Sequence, residues 1–140
     1  MLKIRTLLIG CSFALLAANF ALADQASDRE EINELMWRYA RALDTTNADA
    51  YAAVYTKDGQ FGSGNTAAKG EQALKDMIKG VKDGRDAQIA KGETPAPMFH
   101  MTADSWIEFI DDTHARHHSY WMTVFGAAGP GTAPRVAAAG

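Results

Sequence analysis

The sequence predicts an α+β domain in which helices pack on one face of an antiparallel sheet. Three observations carry this. Helical periodicity is confined to the N-terminal part of the chain. Two segments rich in aromatic and β-branched residues, "MFHMTADSWIEFI" and "HARHHSYWMTVF", follow it and are separated only by "DDT". A glycine- and proline-rich connection then leads into one more extended piece, "RVAAAG". Helices first and strands afterwards is the order of an α+β layer arrangement.

The first helix is expected from "SDREEINELMWRYARALD", where Ser27 followed by Glu30 has the spacing of a capping box. Ile32, Leu35, Tyr39 and Leu43 recur at helical spacing and form its buried stripe. "NADAYAAVYT" reads as a short second helix capped by Asn47, with Tyr51, Val54 and Tyr55 inward. Asp58-Gly59 marks a turn, Phe61 sits in a short extended piece, and "GSG" bends the chain. Leu74, Met77, Ile78 and Val81 then repeat at i, i+3, i+4 and i+7, the pattern of a third helix. From Asp83 to Pro97, "DGRDAQIAKGETPAP" has breakers and little periodicity, which predicts a surface loop or lid.

Lys3 and Arg5, an apolar run from Thr6 to Phe20, and "ALA" at Ala21–Ala23 have the layout of a secretory signal peptide cleaved before Asp24. The expected organisation is therefore a leader over residues 1–23 and one domain over 24–140, periplasmic or secreted, with no membrane association after cleavage. The single cysteine, Cys11, falls in the leader, so packing alone must hold the mature domain. Without Lys3 and Arg5 the mature chain carries 12 cations against 17 anions, a net charge of −5. An acidic chain with no basic run argues against nucleic acid as a partner.

The segments "RYARALDTTNADAYAAVYTKDGQFGSG", "KGEQAL" and "FHMTADSWIEFIDDTHARHHSYWMTV" resemble, in order and spacing, the SnoaL-like branch of the nuclear transport factor 2-like superfamily. The resemblance runs from about Asp28 to Gly140 and implies a cone, a curved sheet wrapped around a pocket and closed by the first helix. Members normally continue through one further hairpin partner beyond the position of "RVAAAG", so the last strands are expected to be missing and a sheet edge exposed. The scytalone dehydratase and hexachlorocyclohexane dehydrochlorinase branches, both lyases, are similar at the most informative positions. An aspartate ending the first helix and a histidine on the strand leading into an "EF" segment match Asp44 and His100. Tyr39 stands in an "RY" pair where the more distant ketosteroid isomerases carry an oxyanion-stabilising tyrosine. The isomerases' aspartate base would fall near Gly62 and Ser63, and no carboxylate stands there.

Read without the family, Asp44 opens the "DTTN" turn, His100 is a hydrogen-bonded strand histidine, and Tyr39 is a core tyrosine. What the resemblance implies is chemistry. His100 becomes a general base, Asp44 its orienting carboxylate, and Tyr39 a donor to developing charge. Strand alternation puts His114, Arg116, His118, Tyr120, Met122 and Val124 on one face of "HARHHSYWMTVF", and His117, Ser119, Trp121, Thr123 and Phe125 on the other. The first set is assigned to the pocket, which makes His118 the second proton carrier; a slip of one residue exchanges it for His117. Trp37, Phe61, Tyr120 and Met122 are the candidate substrate-binding residues. Trp121 and Phe125, on the convex side, suit contacts in a homo-oligomer built through the sheet face, as relatives often are.

His114 and His118 lie four strand residues apart, about 13 Å, too far to share a zinc ion with ~2 Å metal–nitrogen bonds. No metal site is expected, and no phosphate-loop pattern accompanies "GSG". The expected activity is thus a cofactor-independent lyase of the dehydratase or dehydrohalogenase kind, acting on a small hydrophobic cyclic or aromatic molecule. A non-catalytic ligand-binding or assembly module of the same fold is the alternative.

Overall fold

The structure, a computed structural model, describes the backbone from Arg5 to Gly140 and the side chains from Gln25 onward. The side chains of the expected leader, residues 1–23, lie outside the described residues. Two compact units are distinguished, residues 1–34 and 35–140. Helix α1 spans Arg5–Asp44. Ser27 therefore lies inside a continuous helix and does not cap one, because "ALADQASD" contains neither glycine nor proline to stop it.

In the second unit, α1 ends in a tight reversal. Thr46 N–H donates to the Leu43 carbonyl (3.0 Å) and Asn47 N–H to the Ala42 carbonyl (2.9 Å), while Thr46 holds φ +50°. This is a Schellman arrangement with a β-branched residue in the left-handed position that glycine normally takes. Asn47 then caps α2 (Ala48–Ala52), its side chain accepting from Ala50 N–H at 3.0 Å. Strands β1 (Gln60–Phe61) and β2 (Ala68–Lys69) form a small antiparallel pair around the glycine-rich bend.

Helix α3 spans Gly70–Ala90 and buries Leu74 and Ile78 on the predicted stripe. Residues 83–90, expected in a loop, continue this helix. Ion pairs Lys79–Asp83 and Lys82–Asp86 at i,i+4 spacing support the turns around Gly84. The stop comes at Gly92, with φ +78° and a Glu93 N–H to Gln88 carbonyl bond of 3.0 Å. Arg85 reaches the Ala96 carbonyl at 2.9 Å and holds the remaining connection against the helix. Ala42, Tyr51, Ala52, Leu74 and Ile78 form the buried core of the helical layer, with Tyr39, Leu43 and Met77 packed on it.

Strands β3 (Met98–Asp111), β4 (His114–Phe125) and β5 (Arg135–Ala139) form an antiparallel sheet in that order, open and not closed into a barrel. His100 pairs with Thr123 and Thr102 with Trp121, and Met122 pairs onward with Ala139. A bulge between Ala103 and Trp106 carries Asp104 at φ +52° and inserts an extra residue in β3. Odd-numbered Ile107, 5 % exposed, therefore faces the side that His100 and Thr102 face before the bulge. Among the described residues no helix is long and apolar enough to cross a membrane.

Thr46 pays for the reversal with left-handed strain of roughly 1–2 kcal/mol, partly matched by the extra chain entropy a glycine would lose. Thr46→Gly should therefore raise stability by about 0.5–1 kcal/mol, or Tm by roughly 2–5 °C, in a calorimetric melt. A lower Tm would show that the Thr46 side chain makes a compensating contact.

Candidate active site

Asp44 occupies the last turn of α1, where the carbonyl ends of the helix disfavour a carboxylate by roughly 0.3–1 kcal/mol. Two donors from β3 offset this. Oδ1 of Asp44 accepts the backbone N–H of His100 at 2.8 Å and contacts His100 Nδ1 at 2.8 Å. An ionised carboxylate only accepts, so in this contact Nδ1 carries the proton. Nε2 is left as the ring's proton-accepting nitrogen. Both side chains are largely withdrawn from solvent, 15 % and 19 % exposed.

His100 opens onto a cavity of about 440 Å³. Met36, Tyr39 and Leu43 of α1 form one wall, Phe61 of β1 another, and Thr102, Trp121, Met122 and Thr123 the sheet side. His100 and Tyr39 thus face one space, with Asp44 bonded to His100, and Phe61 and Met122 also line it.

Three expected pocket residues lie elsewhere. The His100–Thr123 register puts Ser119, Trp121 and Thr123 on the cavity face, so the face assigned to His118 and Tyr120 is the opposite one. Tyr120 is 70 % exposed. His118 stacks on Trp106 with ring centroids 5.0 Å apart, and its Nε2 lies 3.5 Å from Glu108, beside Arg116. Trp37, 65 % exposed, sits about 100° around α1 from Met36 and points away from the stripe. Trp121 and Phe125, expected on the convex side, alternate with Tyr120 and Val124, and Trp121 lines the cavity. Composition misled here because both β4 faces carry large apolar residues; the pairing of His100 with Thr123 decides the matter. Met36 was legible in the helical spacing to Tyr39 and Leu43, whereas Trp121 and Thr123 needed the register.

His114 behaves as a turn residue, bonded to Asp111 at 2.9 Å in an exposed position. That contact, with the Thr113 bonds, holds the Asp111 carboxyl well below the usual carboxylate range. Burial, then the neighbouring His118, lowers the pKa of His117. Among the described residues no three His, Cys, Asp or Glu side chains converge as metal ligands.

A family model described as a SnoaL-like domain matches residues 24–140. The chain belongs to the SnoaL-like domain family. Its fold is that of the nuclear transport factor 2-like superfamily. A nuclear transport factor 2-like protein with a cystatin-like fold from Novosphingobium aromaticivorans superposes with a TM-score of 0.65 and 26% identity, covering 89% of this chain and 72% of that one. A protein of unknown function from Mycobacterium tuberculosis gives 0.64 and 20%, covering 85% and 62%. A protein provisionally named a scytalone dehydratase, also from Novosphingobium aromaticivorans, gives 0.59 and 20%, covering 74% and 64%. The SnoaL-like chain therefore spans less than two thirds of the length of two of these neighbours. No curated protein sequence matches it significantly.

In this SnoaL-like domain Tyr39 belongs to a three-tyrosine cluster. Its ring lies 5.5 Å from that of Tyr51 and 6.5 Å from that of Tyr55, and the Tyr51 and Tyr55 hydroxyls are 2.8 Å apart. Burial raises the pKa of all three phenols above 10.0, most strongly at Tyr51. Each phenol keeps its proton more firmly in the folded than in the unfolded chain. The resulting stability is fully present below the unfolded value of about 10 and is lost as pH rises above it. Denaturant midpoints should therefore fall above about pH 10, with tyrosinate absorbance appearing together with loss of structure. In Tyr51→Phe, neutral-pH stability should drop by about 1 kcal/mol and the alkaline fall should become shallower. An unchanged alkaline slope in that variant would contradict the assignment.

Proposed function

We propose that this SnoaL-like domain is a cofactor-independent lyase, of the dehydratase or dehydrohalogenase type, for a small cyclic or aromatic molecule. One observation carries the reading: a histidine fixed in one tautomer by a carboxylate faces a largely apolar cavity that also holds a tyrosine. An Nδ1–H held by Asp44 leaves His100 Nε2 to take a proton from a substrate carbon. The C–H electron pair then forms the new C=C bond, and the adjacent C–X bond breaks, with X departing as hydroxide or halide with its electrons. The Tyr39 phenol, kept protonated by burial, donates a hydrogen bond to the departing group. The proton held on His100 leaves with X as water or hydrogen halide, and Asp44 stabilises the imidazolium in between.

A panel of cyclic alcohols and halides with an acidic C–H beside the leaving group tests the reading. His100→Gln should lower kcat/KM on the order of 10²–10⁴-fold. Asp44→Asn, whose neutral amide no longer stabilises the imidazolium, should lose a comparable factor with folding retained. Wild-type turnover in His100→Gln would sink the proposal. Ligand binding without turnover, unaffected by His100→Ala, would favour the binding-module reading.

Export and self-association belong to the same proposal. Phe99, Tyr120 and Val136 leave the sheet face opposite the cavity apolar and exposed, at 47, 70 and 60 %. A second copy of the chain covers this face in our reading. Native mass spectrometry of the exported protein should show a chain beginning at Asp24 at twice its monomer mass. A retained N-terminus, or a monomer at every concentration, would count against the corresponding part.

A further inference from the structure

The cavity beside His100 does not end at Trp121. Met36, Ser119 and Trp121 also line a second cleft, of about 610 Å³, whose other residues include Asp104 and His117. The shared walls make the two spaces neighbours, and the second extends around β4 to His118 and Tyr120. Their linings differ in character. The first is mostly apolar apart from His100, Tyr39, Ser119 and the threonines, whereas the second brings the Asp104 carboxylate together with His117, Ser119, His118 and Tyr120.

Local structure aims these groups. His117 and Ser119 alternate with Trp121 and Thr123, so they share the cavity face, and both are partly withdrawn from solvent. Asp104 continues the series His100, Thr102 on β3 and sits where the bulge begins, in a left-handed conformation at φ +52°. Among the described residues, none of the three side chains makes a hydrogen bond or ion pair within the chain. Asp104 is exposed at the cleft, and His117 and Ser119 are half-buried, so all three polar groups are open to a ligand that enters it.

We infer that Asp104, His117 and Ser119 form a polar subsite that binds a hydroxyl on the far end of an elongated apolar substrate whose reacting end lies at His100. A carboxylate only accepts hydrogen bonds. The His117 imidazole offers an acceptor nitrogen and an N–H, and the Ser119 hydroxyl both donates and accepts, so a ligand hydroxyl, which can do both, complements the three groups. Four strand residues separate His100 from Asp104, about 13 Å at the usual rise. A single ring cannot bridge that distance; two linked or fused rings bearing a terminal hydroxyl can, with Trp121 as the floor between. The inference rests on the lyase reading only for which end of the ligand reacts.

Biphenyl and p-phenylphenol, which differ by one terminal hydroxyl, are the probes, with binding to the full chain followed by calorimetry. Wild type should bind p-phenylphenol at least about tenfold more tightly than biphenyl. Asp104→Gly, which suits the left-handed backbone and so keeps the fold, should erase that preference and leave biphenyl binding unchanged. His117→Ala should reduce the preference independently, and His100→Ala should retain it. Failure of either rod to bind wild type, no preference in wild type, or a preference that survives Asp104→Gly would overturn the subsite. So would a preference lost in His100→Ala alone, since the hydroxyl would then sit at the dyad. An Asp104-dependent preference without turnover of any elimination substrate would retire the lyase reading and leave the subsite standing.

Discussion

The double contact of Asp44 Oδ1 with the ring and the backbone of His100 joins residues 56 positions apart and sets the geometry of everything around it. It places a carboxylate at the unfavourable end of a helix, which an isolated helix would resist. Two short hydrogen bonds to that carboxylate, each worth about 1–3 kcal/mol when the acceptor is charged, exceed the dipole cost. The backbone bond also locates β3 relative to α1, because an amide at a given residue cannot be exchanged for its neighbour without moving the strand by 3.3 Å or so. Fold and candidate chemistry thus rest on the same oxygen atom.

With His100 turned toward α1, the alternation of β3 and the pairing with β4 follow. Thr102 and Asp104 join His100 on the inner face before the bulge, and Ile107 after it. Thr123, Trp121, Ser119 and His117 join them from β4. The bulge matters because it changes which parity of β3 faces inward. Without it, Trp106 and not Ile107 would turn to the inner face, and a larger ring would take the place of the 5 % exposed isoleucine. The bulge residue Asp104 also lines the second cleft.

The helical layer contributes stability and one functional group through the same residues. Tyr51 is fully buried, and its hydroxyl bonds that of Tyr55, four residues later in the turn that follows α2. Tyr39 leans on both rings while also lining the cavity, so its phenol is held by packing and not by a loop. A phenol supported this way is held in place, at the cost of tying the cavity wall to the core.

Much of this was legible in the chain itself. Helical spacing located the α1 stripe, the Asn47 cap and the Leu74–Ile78 core, since these depend on periodicity and on side chains reaching backbone groups a few residues away. The strand pair, the turn at Asp111 and the pairing of Asp44 with His100 were readable from composition and family resemblance. Local signals misjudged extent and side. The run after Asp83 stayed helical because ion pairs one turn apart outweighed its breakers, and Ser27 capped nothing because the residues before it are equally helical. Which histidine of "HARHHSYWMTV" faces inward was undecidable locally, as period-two alternation is the same in both registers. Only the long-range bonds to Asp44, together with the β3–β4 pairing, chose His117 over His118, because a strand's face is set by what it packs against.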